Sequence, residues 1–370
     1  MTVAASKKSR VLIVEDSTFM RRVLKDILSA DPQLEVAGQA CDGREGVALA
    51  ESLRPDVITM DINMPHLDGL QATELIMSQN PRPIVIVSSE SREGTKGTLK
   101  ALELGAIDFV TKPSSGVDLD MKTVAEELRR KVKMAAKVRV VRTASRSSQA
   151  APRPPMPAAP ALPSSASLAQ SGSKFPTVML AASTGGPAAV MRIAAALPKE
   201  FPAAVFVIIH MPAAFTQQFA VQLAEVSALP VKEAEANEAP QPGVIYLCPG
   251  SHHLRLSAAG KITLDAGPRV NGYRPCADTA LESLASYARA LGIAVVLTGM
   301  AGDGANGAKA VKDAGGCVLA QDEATSVIFG MPADAIKAGA VDEVLPLDEI
   351  GPAIEKRVVK LLRLTPVGVR

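Results

Sequence analysis

A serine followed by two glycines, Ser183-Thr184-Gly185-Gly186-Pro187, comes directly after the apolar run Val178-Met179-Leu180-Ala181-Ala182. That run predicts a buried strand feeding a helix, and glycines in such a turn let backbone N–H groups approach an anion. A hydroxyl there suits an activated nucleophile beside an oxyanion site, although the same pattern also serves simple phosphate binding. A nucleophile needs a base, and the chain has four histidines. His210 ends the apolar run Ala203-Ala204-Val205-Phe206-Val207-Ile208-Ile209, where a buried strand emerges from a sheet. His252 and His253 follow the turn Pro249-Gly250-Ser251 and read as exposed or as a loop contact, while His66 sits in a separate turn. A third apolar run, Ile293 to Thr298, leads into Gly299-Met300-Ala301-Gly302-Asp303-Gly304. Asp303 therefore also follows a strand's carboxyl end, and taken singly it would serve as a helix N-cap. In an open α/β sheet the carboxyl ends of parallel strands share one edge, which is where ligands bind. The order Ser183, His210, Asp303 predicts nucleophile, base and orienting carboxylate for acyl transfer. Backbone N–H groups of Thr184 and Met300 are the candidate oxyanion donors.

A second set of chemical residues lies in the N-terminal half, again at strand ends. Val11–Val14, Leu34–Ala37, Val57–Met60, Ile84–Val87 and Asp108–Val110 read as strands, alternating with helical stretches such as Thr18–Leu28 and Lys96–Leu104. Five βα units predict a doubly wound parallel sheet. Glu15 and Asp16 follow the first strand, Asp61 the third, Ser88 the fourth and Lys112 the fifth. Three carboxylates in one crevice repel unless a hard cation joins them, and Mg²⁺ prefers carboxylate oxygens with water and phosphate. Asp61 would then be a nucleophile toward a phosphoryl donor. Lys112 would neutralise phosphoryl oxygens and Ser88 would donate a hydrogen bond.

The chain as a whole sets bounds on these readings. Its 370 residues suit two domains with full cores. A net charge of +2 gives no field that would recruit nucleic acid or a membrane surface. Cys41, Cys248, Cys276 and Cys317 show no metal or disulfide spacing. No segment has the length and apolarity of a membrane span or a signal peptide, so a cytoplasmic location is expected. Between Thr143 and Lys174 the composition turns to Ala, Pro, Ser and Gln, which reads as a semi-extended linker. From Arg129 through Lys174 the charged residues are all basic, read as a solvated helix end and tether or as an arm that meets an acidic partner.

Glu15-Asp16, Asp61-Ile62-Asn63-Met64-Pro65, Ser88 and Asp108-Phe109-Val110-Thr111-Lys112-Pro113 resemble a two-component receiver domain. Ala182-Ser183-Thr184-Gly185-Gly186-Pro187, Ile209-His210-Met211-Pro212, Thr298-Gly299-Met300 with Asp303-Gly304, Gln321-Asp322-Glu323 and Phe329-Gly330-Met331-Pro332 resemble the catalytic domain of the CheB family of chemotaxis methylesterases. The resemblance implies a flavodoxin-like receiver over 9–127, a basic helix end and linker over 128–174, and a Rossmann-like methylesterase domain over 175–367. It implies that the Asn63 carbonyl completes the Mg²⁺ site of Glu15, Asp16 and Asp61, that Asp61 is phosphorylated by a histidine kinase, and that Phe109 changes rotamer on activation. It also implies that the receiver covers the active-site edge until phosphorylated. Ser183, His210 and Asp303 would hydrolyse glutamyl methyl esters on chemoreceptors, with glutamine deamidation, in a monomeric chain that needs no cofactor for the hydrolysis. Two other classes stay open: a phosphorylation-gated docking module without turnover, and a DNA-binding regulator, for which the second half lacks a basic recognition helix.

Overall fold

A computed structural model describes residues 7–89, 91–112, 118–138 and 173–364. These fall into two compact units, one on either side of residues 139–172. Most of the expected linker, with its Pro-rich stretch, and residues 365–367 of the expected second domain lie outside the described residues.

The first unit is built from β1 (Ser9–Val14), α1 (Thr18–Ser29), β2 (Leu34–Ala40), α2 (Gly43–Leu53), β3 (Val57–Met60), α3 (Gly69–Gln79), β4 (Ile84–Ser88), α4 (Arg92–Glu103), β5 (Asp108–Thr111) and α5 (Asp118–Ala135). Short polar side chains start the helices. Ser17, Asp42, Asp68 and Ser91 each accept a backbone N–H of the first turn, and Asp68 with Gln71 forms a capping box. The strands pair in the order β2-β1-β3-β4-β5, parallel throughout. The chain reverses direction across the sheet between β1 and β3, so the residues that follow these two strands face one crevice. Two elements differ from the sequence reading by more than two residues: β2 continues to Ala40, and α4 begins at Arg92 rather than Lys96. Gly94 and Gly97 mask the start of α4, yet Gly97 is required there, because a Cβ would stand 2.9 Å from Ile62 Cγ2. The basic residues of α5 do not all face solvent: Lys131 is buried against Asp108, and Lys133 pairs with Asp31 at 2.7 Å.

The second unit comprises β6 (Thr177–Ala182), α6 (Gly186–Ala196), β7 (Ala204–Ile209), α7 (Ala213–Val226), β8 (Val231–Glu233), β9 (Ile245–Leu247), β10 (His253–Leu256), β11 (Ile262–Asp265), α8 (Ala277–Ala288), β12 (Gly292–Val296), α9 (Ala305–Asp313), β13 (Cys317–Gln321), α10 (Met331–Lys337), β14 (Glu343–Leu345) and α11 (Leu347–Leu364). Seven strands form a parallel sheet in the order β14-β13-β12-β6-β7-β9-β8. Every residue of β6, β7, β12 and β13 is buried, which is why these strands read as continuous apolar runs. The chain leaves β6 toward β7 and returns on the other side at β12, so the switch point lies at the carboxyl end of β6. The antiparallel hairpin β10–β11 is an addition that the parallel-sheet reading did not contain. It also overturns the exposed reading of His253, which opens β10, is 2% exposed and bonds through Nε2 to the Pro268 carbonyl at 3.0 Å. No helix among the described residues is long and apolar enough to cross a membrane.

Candidate active site

The serine turn follows β6 as the composition of its residues dictates. Gly185 takes φ of 76°, and a Cβ there would stand 2.7 Å from the Val327 side chain, so only glycine fits. The Gly186 N–H closes the turn on the Ser183 carbonyl at 2.7 Å, and α6 starts at once with Pro187 in its first turn. Backbone bonds stitch the neighbouring strand ends to it. Ser183 N donates to Thr298 O at 3.1 Å, and His210 N donates to Ala182 O at 3.2 Å. Because Ala182 pairs with Ile209 in the sheet, Ser183 and His210 are the next residues along two adjacent strands. Gly299 lets the loop after β12 approach: a Cβ there would lie 2.9 Å from Ser183 Cβ and 2.3 Å from Met331 Sδ. Thr184 and Met300, both buried, belong to the two loops that flank Ser183, and the Thr184 carbonyl accepts from Thr298 Oγ1 at 2.9 Å.

His210 Nε2 lies 2.8 Å from Asp303 Oδ2. The Asp303 side chain is fully buried and sits in a socket at the start of α8. Ala277 N donates to Oδ2 at 2.6 Å, Asp278 N to Oδ1 at 2.8 Å, and Cys276 Sγ to Oδ1 at 3.2 Å. A helix N-terminus offers unpaired N–H groups and partial positive charge, which suits a carboxylate. Burial pushes the Asp303 carboxyl up, but the bond and charge of His210 and the two backbone donors together hold it below the ordinary aspartate value. The N-cap that the sequence offered as an alternative for Asp303 is filled by Gly304 at α9, and Asp303 serves α8 instead. With Nε2 committed to Asp303, the basic lone pair falls on Nδ1. That atom is buried and has no hydrogen-bond partner among the described residues. The ring of Tyr273 lies flat on the imidazole, with centroids 4.0 Å apart.

In the first unit, Glu15, Asp16 and Asp61 offer carboxylate oxygens within 4.8 Å of one another. Lys112 Nζ lies 2.8 Å from Asp61 Oδ2 and 2.9 Å from Glu15 Oε2. Burial pushes the Glu15 carboxyl up to about 7, reinforced by the Asp61 charge and opposed by Lys112. Burial also holds Asp61 above the ordinary aspartate value, against the pull of Lys112. Such mutual repulsion of hard oxygen donors is what a divalent cation relieves, so the donor set fits Mg²⁺. Asn63 is exposed beside Asp61, and Ser88 Oγ donates to the Gly94 carbonyl at 3.2 Å. Phe109 is buried under Lys131, whose Nζ stands 5.1 Å from the ring centroid and donates to the Phe109 carbonyl at 2.7 Å.

The family model described as CheB methylesterase matches residues 178–354, and that of the response regulator receiver domain matches residues 11–147. A Pyrococcus horikoshii protein named protein-glutamate methylesterase/protein-glutamine glutaminase is 41% identical over 355 residues, covering 95% of this chain and 94% of the relative. The chain belongs to the CheB methylesterase family. A CheB relative of the same name from Thermotoga maritima is 43% identical over 344 residues, covering 92% of this chain and 96% of its own length. The crystal structure of the Thermotoga maritima CheB methylesterase catalytic domain is 42% identical over 50% of this chain and 99% of its own, with a TM-score of 0.48.

For this CheB-family chain, sequence reasoning passed over four neighbours of the His210–Asp303 pair. Cys276 and the backbone of Ala277 and Asp278 form the socket, and Tyr273 covers the imidazole. The dipeptide Asn271-Gly272 was the available signal, since it marks a tight turn that must present whatever follows it. Asp278 does not reach His210: its Oδ1 accepts from Gly307 N at 2.8 Å and so ties the start of α8 to the first turn of α9, just after Asp303.

Proposed function

We propose that the chain hydrolyses glutamyl methyl esters on the cytoplasmic parts of chemoreceptors, deamidates receptor glutamines at the same site, and does so faster when Asp61 is phosphorylated by a histidine kinase. The observation that carries this reading is the His210–Asp303 bond in its buried socket, which leaves Nδ1 as the basic nitrogen at the strand end next to Ser183. His210 Nδ1 takes the hydroxyl proton as Ser183 Oγ bonds to the ester carbonyl carbon. Asp303 holds the Nε2–H tautomer and stabilises the imidazolium. Backbone N–H groups of Thr184 and Met300 receive the oxyanion, a role worth about 3 kcal/mol per donor. When the C–O bond of the ester, or the C–N bond of a glutamine amide, breaks, the imidazolium proton goes to the leaving methoxide or to the leaving amide nitrogen, so that methanol or ammonia departs. Water, deprotonated by His210, then attacks the glutamyl-serine ester, the C–Oγ bond breaks, and the imidazolium returns its proton to Ser183 Oγ as the glutamate departs.

In the receiver, Asp61 is the phosphoryl acceptor and Lys112 the fixed cation beside it. Glu15, Asp16, Asp61 and the Asn63 carbonyl would hold Mg²⁺, which would supply neutralisation of phosphoryl charge when bound. Ser88 turns from the Gly94 carbonyl to the phosphoryl group, and Phe109 changes rotamer in response. The catalytic half is tested by treating the full chain with a fluorophosphonate and mapping the adduct. Modification confined to Ser183, and lost in His210→Ala, is the expected result; an unmodified Ser183 points to a docking module without turnover.

A further inference from the structure

Tyr273 and His210 are stacked, with ring centroids 4.0 Å apart and planes inclined by 14°. The tyrosine is presented by a tight turn. Val270 and Tyr273 exchange both backbone hydrogen bonds, at 3.0 and 2.9 Å, around Asn271 and Gly272 with φ of 53° and 84°. Positive φ at both central residues is the signature of a two-residue I′ turn, which Asn-Gly favours. Side chains tie this turn to the surroundings of Asp303. Asn271 Nδ2 donates to Asp278 Oδ2 at 3.5 Å, Arg269 Nη1 to Gly272 O at 3.2 Å, and Tyr273 Oη to Ala301 O at 3.5 Å. Asp278 in turn accepts from Gly307 N, while its own N–H donates to Asp303 Oδ1. The loop before α8 and the loop after β12 are therefore one bonded assembly around the imidazole.

We propose that Tyr273 is a positioning residue for the His210 base, acting through its ring, an inference that rests on the Ser-His-Asp reading above. The Asp303 bond fixes one ring nitrogen but leaves the imidazole able to tilt about the Nε2 to Oδ2 line. A flat ring in contact with one face removes that tilt and fixes the direction of Nδ1 at the strand edge that His210 shares with Ser183. Misplacement of a catalytic group by about 1 Å can cost about 10²-fold in rate. The tyrosine face also carries negative potential, so it interacts better with the imidazolium that forms during acyl transfer than with the neutral ring. Both effects act on the chemical step and not on receptor binding.

The test compares the wild-type full chain with Tyr273→Phe and Tyr273→Leu for methanol release from methylated chemoreceptor membranes and for the rate of fluorophosphonate modification, which needs no receptor. Tyr273→Phe keeps both rates within about twofold. Tyr273→Leu lowers kcat and the modification rate by about three- to tenfold with KM unchanged. If Tyr273→Leu does not fold, Tyr273→Met takes its place under the same criteria. Wild-type rates without the ring overturn the proposal, as does Tyr273→Phe falling as far as Tyr273→Leu, which would transfer the effect to the hydroxyl. A wild-type protein that neither releases methanol nor takes up fluorophosphonate fails at the triad reading itself, and the Tyr273 proposal falls with it.

Discussion

Asp303→Asn is the substitution whose consequences the structure lets one work out most fully. The carboxylate accepts from four donors: His210 Nε2 and Ala277 N at Oδ2, Asp278 N and Cys276 Sγ at Oδ1. An asparagine of the same shape can accept on one side only. If its amide nitrogen faces Oδ1's partners, the Asp278 N–H and the thiol lose their acceptor in a fully buried site. One unsatisfied buried donor costs about 1–3 kcal/mol, and loss of the negative charge at the helix N-terminus adds about 0.5–2 kcal/mol. If the nitrogen faces His210, the imidazole must carry its proton on Nδ1, and the base is lost; such a tautomer error costs about 10⁴ in kcat. The expected outcome is a fall in stability of about 2–4 kcal/mol by urea titration and a fall in kcat of about 10³–10⁴ for methanol release. The sign with pH follows from the depressed carboxyl. Asp303 stabilises the fold above the ordinary aspartate range and ceases to do so as pH falls through its lower folded-state value. The variant should therefore lie closest to wild type in stability in strong acid and furthest from it at neutral pH. A kcat within tenfold of wild type, with the fold intact, would refute the role assigned to this socket.

Three further outcomes are expected. Gly299→Ala puts a Cβ 2.9 Å from Ser183 Cβ and 2.3 Å from Met331 Sδ, so kcat should fall by about tenfold or more while the protein stays folded; unchanged methanol release would separate this loop from the chemistry. Native protein should give one thiol per chain to Ellman's reagent, from exposed Cys41, because burial pushes Cys248 and Cys317 up to about 12 and Cys276 up to about 11; a second fast thiol would contradict the packing. With divalent cations chelated, stability should decline between about pH 4.5 and 7, because buried Glu15, raised to about 7, binds its proton more tightly folded than unfolded. That decline amounts to about 3 kcal/mol at most, and Glu15→Gln should flatten it in denaturant titrations across that range.

What the chain revealed before folding, and what it hid, follows from where each contact is made. The strand-end positions of Ser183 and His210 were legible because strands buried on both faces are continuous apolar runs, and the residue after such a run sits at the carboxyl edge of the sheet. The acidic cluster was legible for the same reason in the first sheet. The socket for Asp303 was not, because it joins residue 303 to backbone N–H groups at 277 and 278, and backbone donors leave no trace in residue type. Tyr273 was hidden likewise, since its partner is 63 positions away and a lone tyrosine after an Asn-Gly turn does not announce what it covers. The exposed reading of His253 failed because a turn signal can lead directly into a buried strand, whereas its alternative, a loop contact, is met at the Pro268 carbonyl. The start of α4 was missed because two glycines lower helix propensity at positions where close packing requires them.

The central claim is that Ser183, activated by His210 and Asp303, hydrolyses receptor methyl esters under control of Asp61. Methanol release from methylated chemoreceptor membranes, with wild type and Ser183→Ala, each with and without acetyl phosphate and Mg²⁺, tests it most directly. Release by wild type should rise with the phosphodonor and be absent in Ser183→Ala. Undiminished release by Ser183→Ala would contradict it.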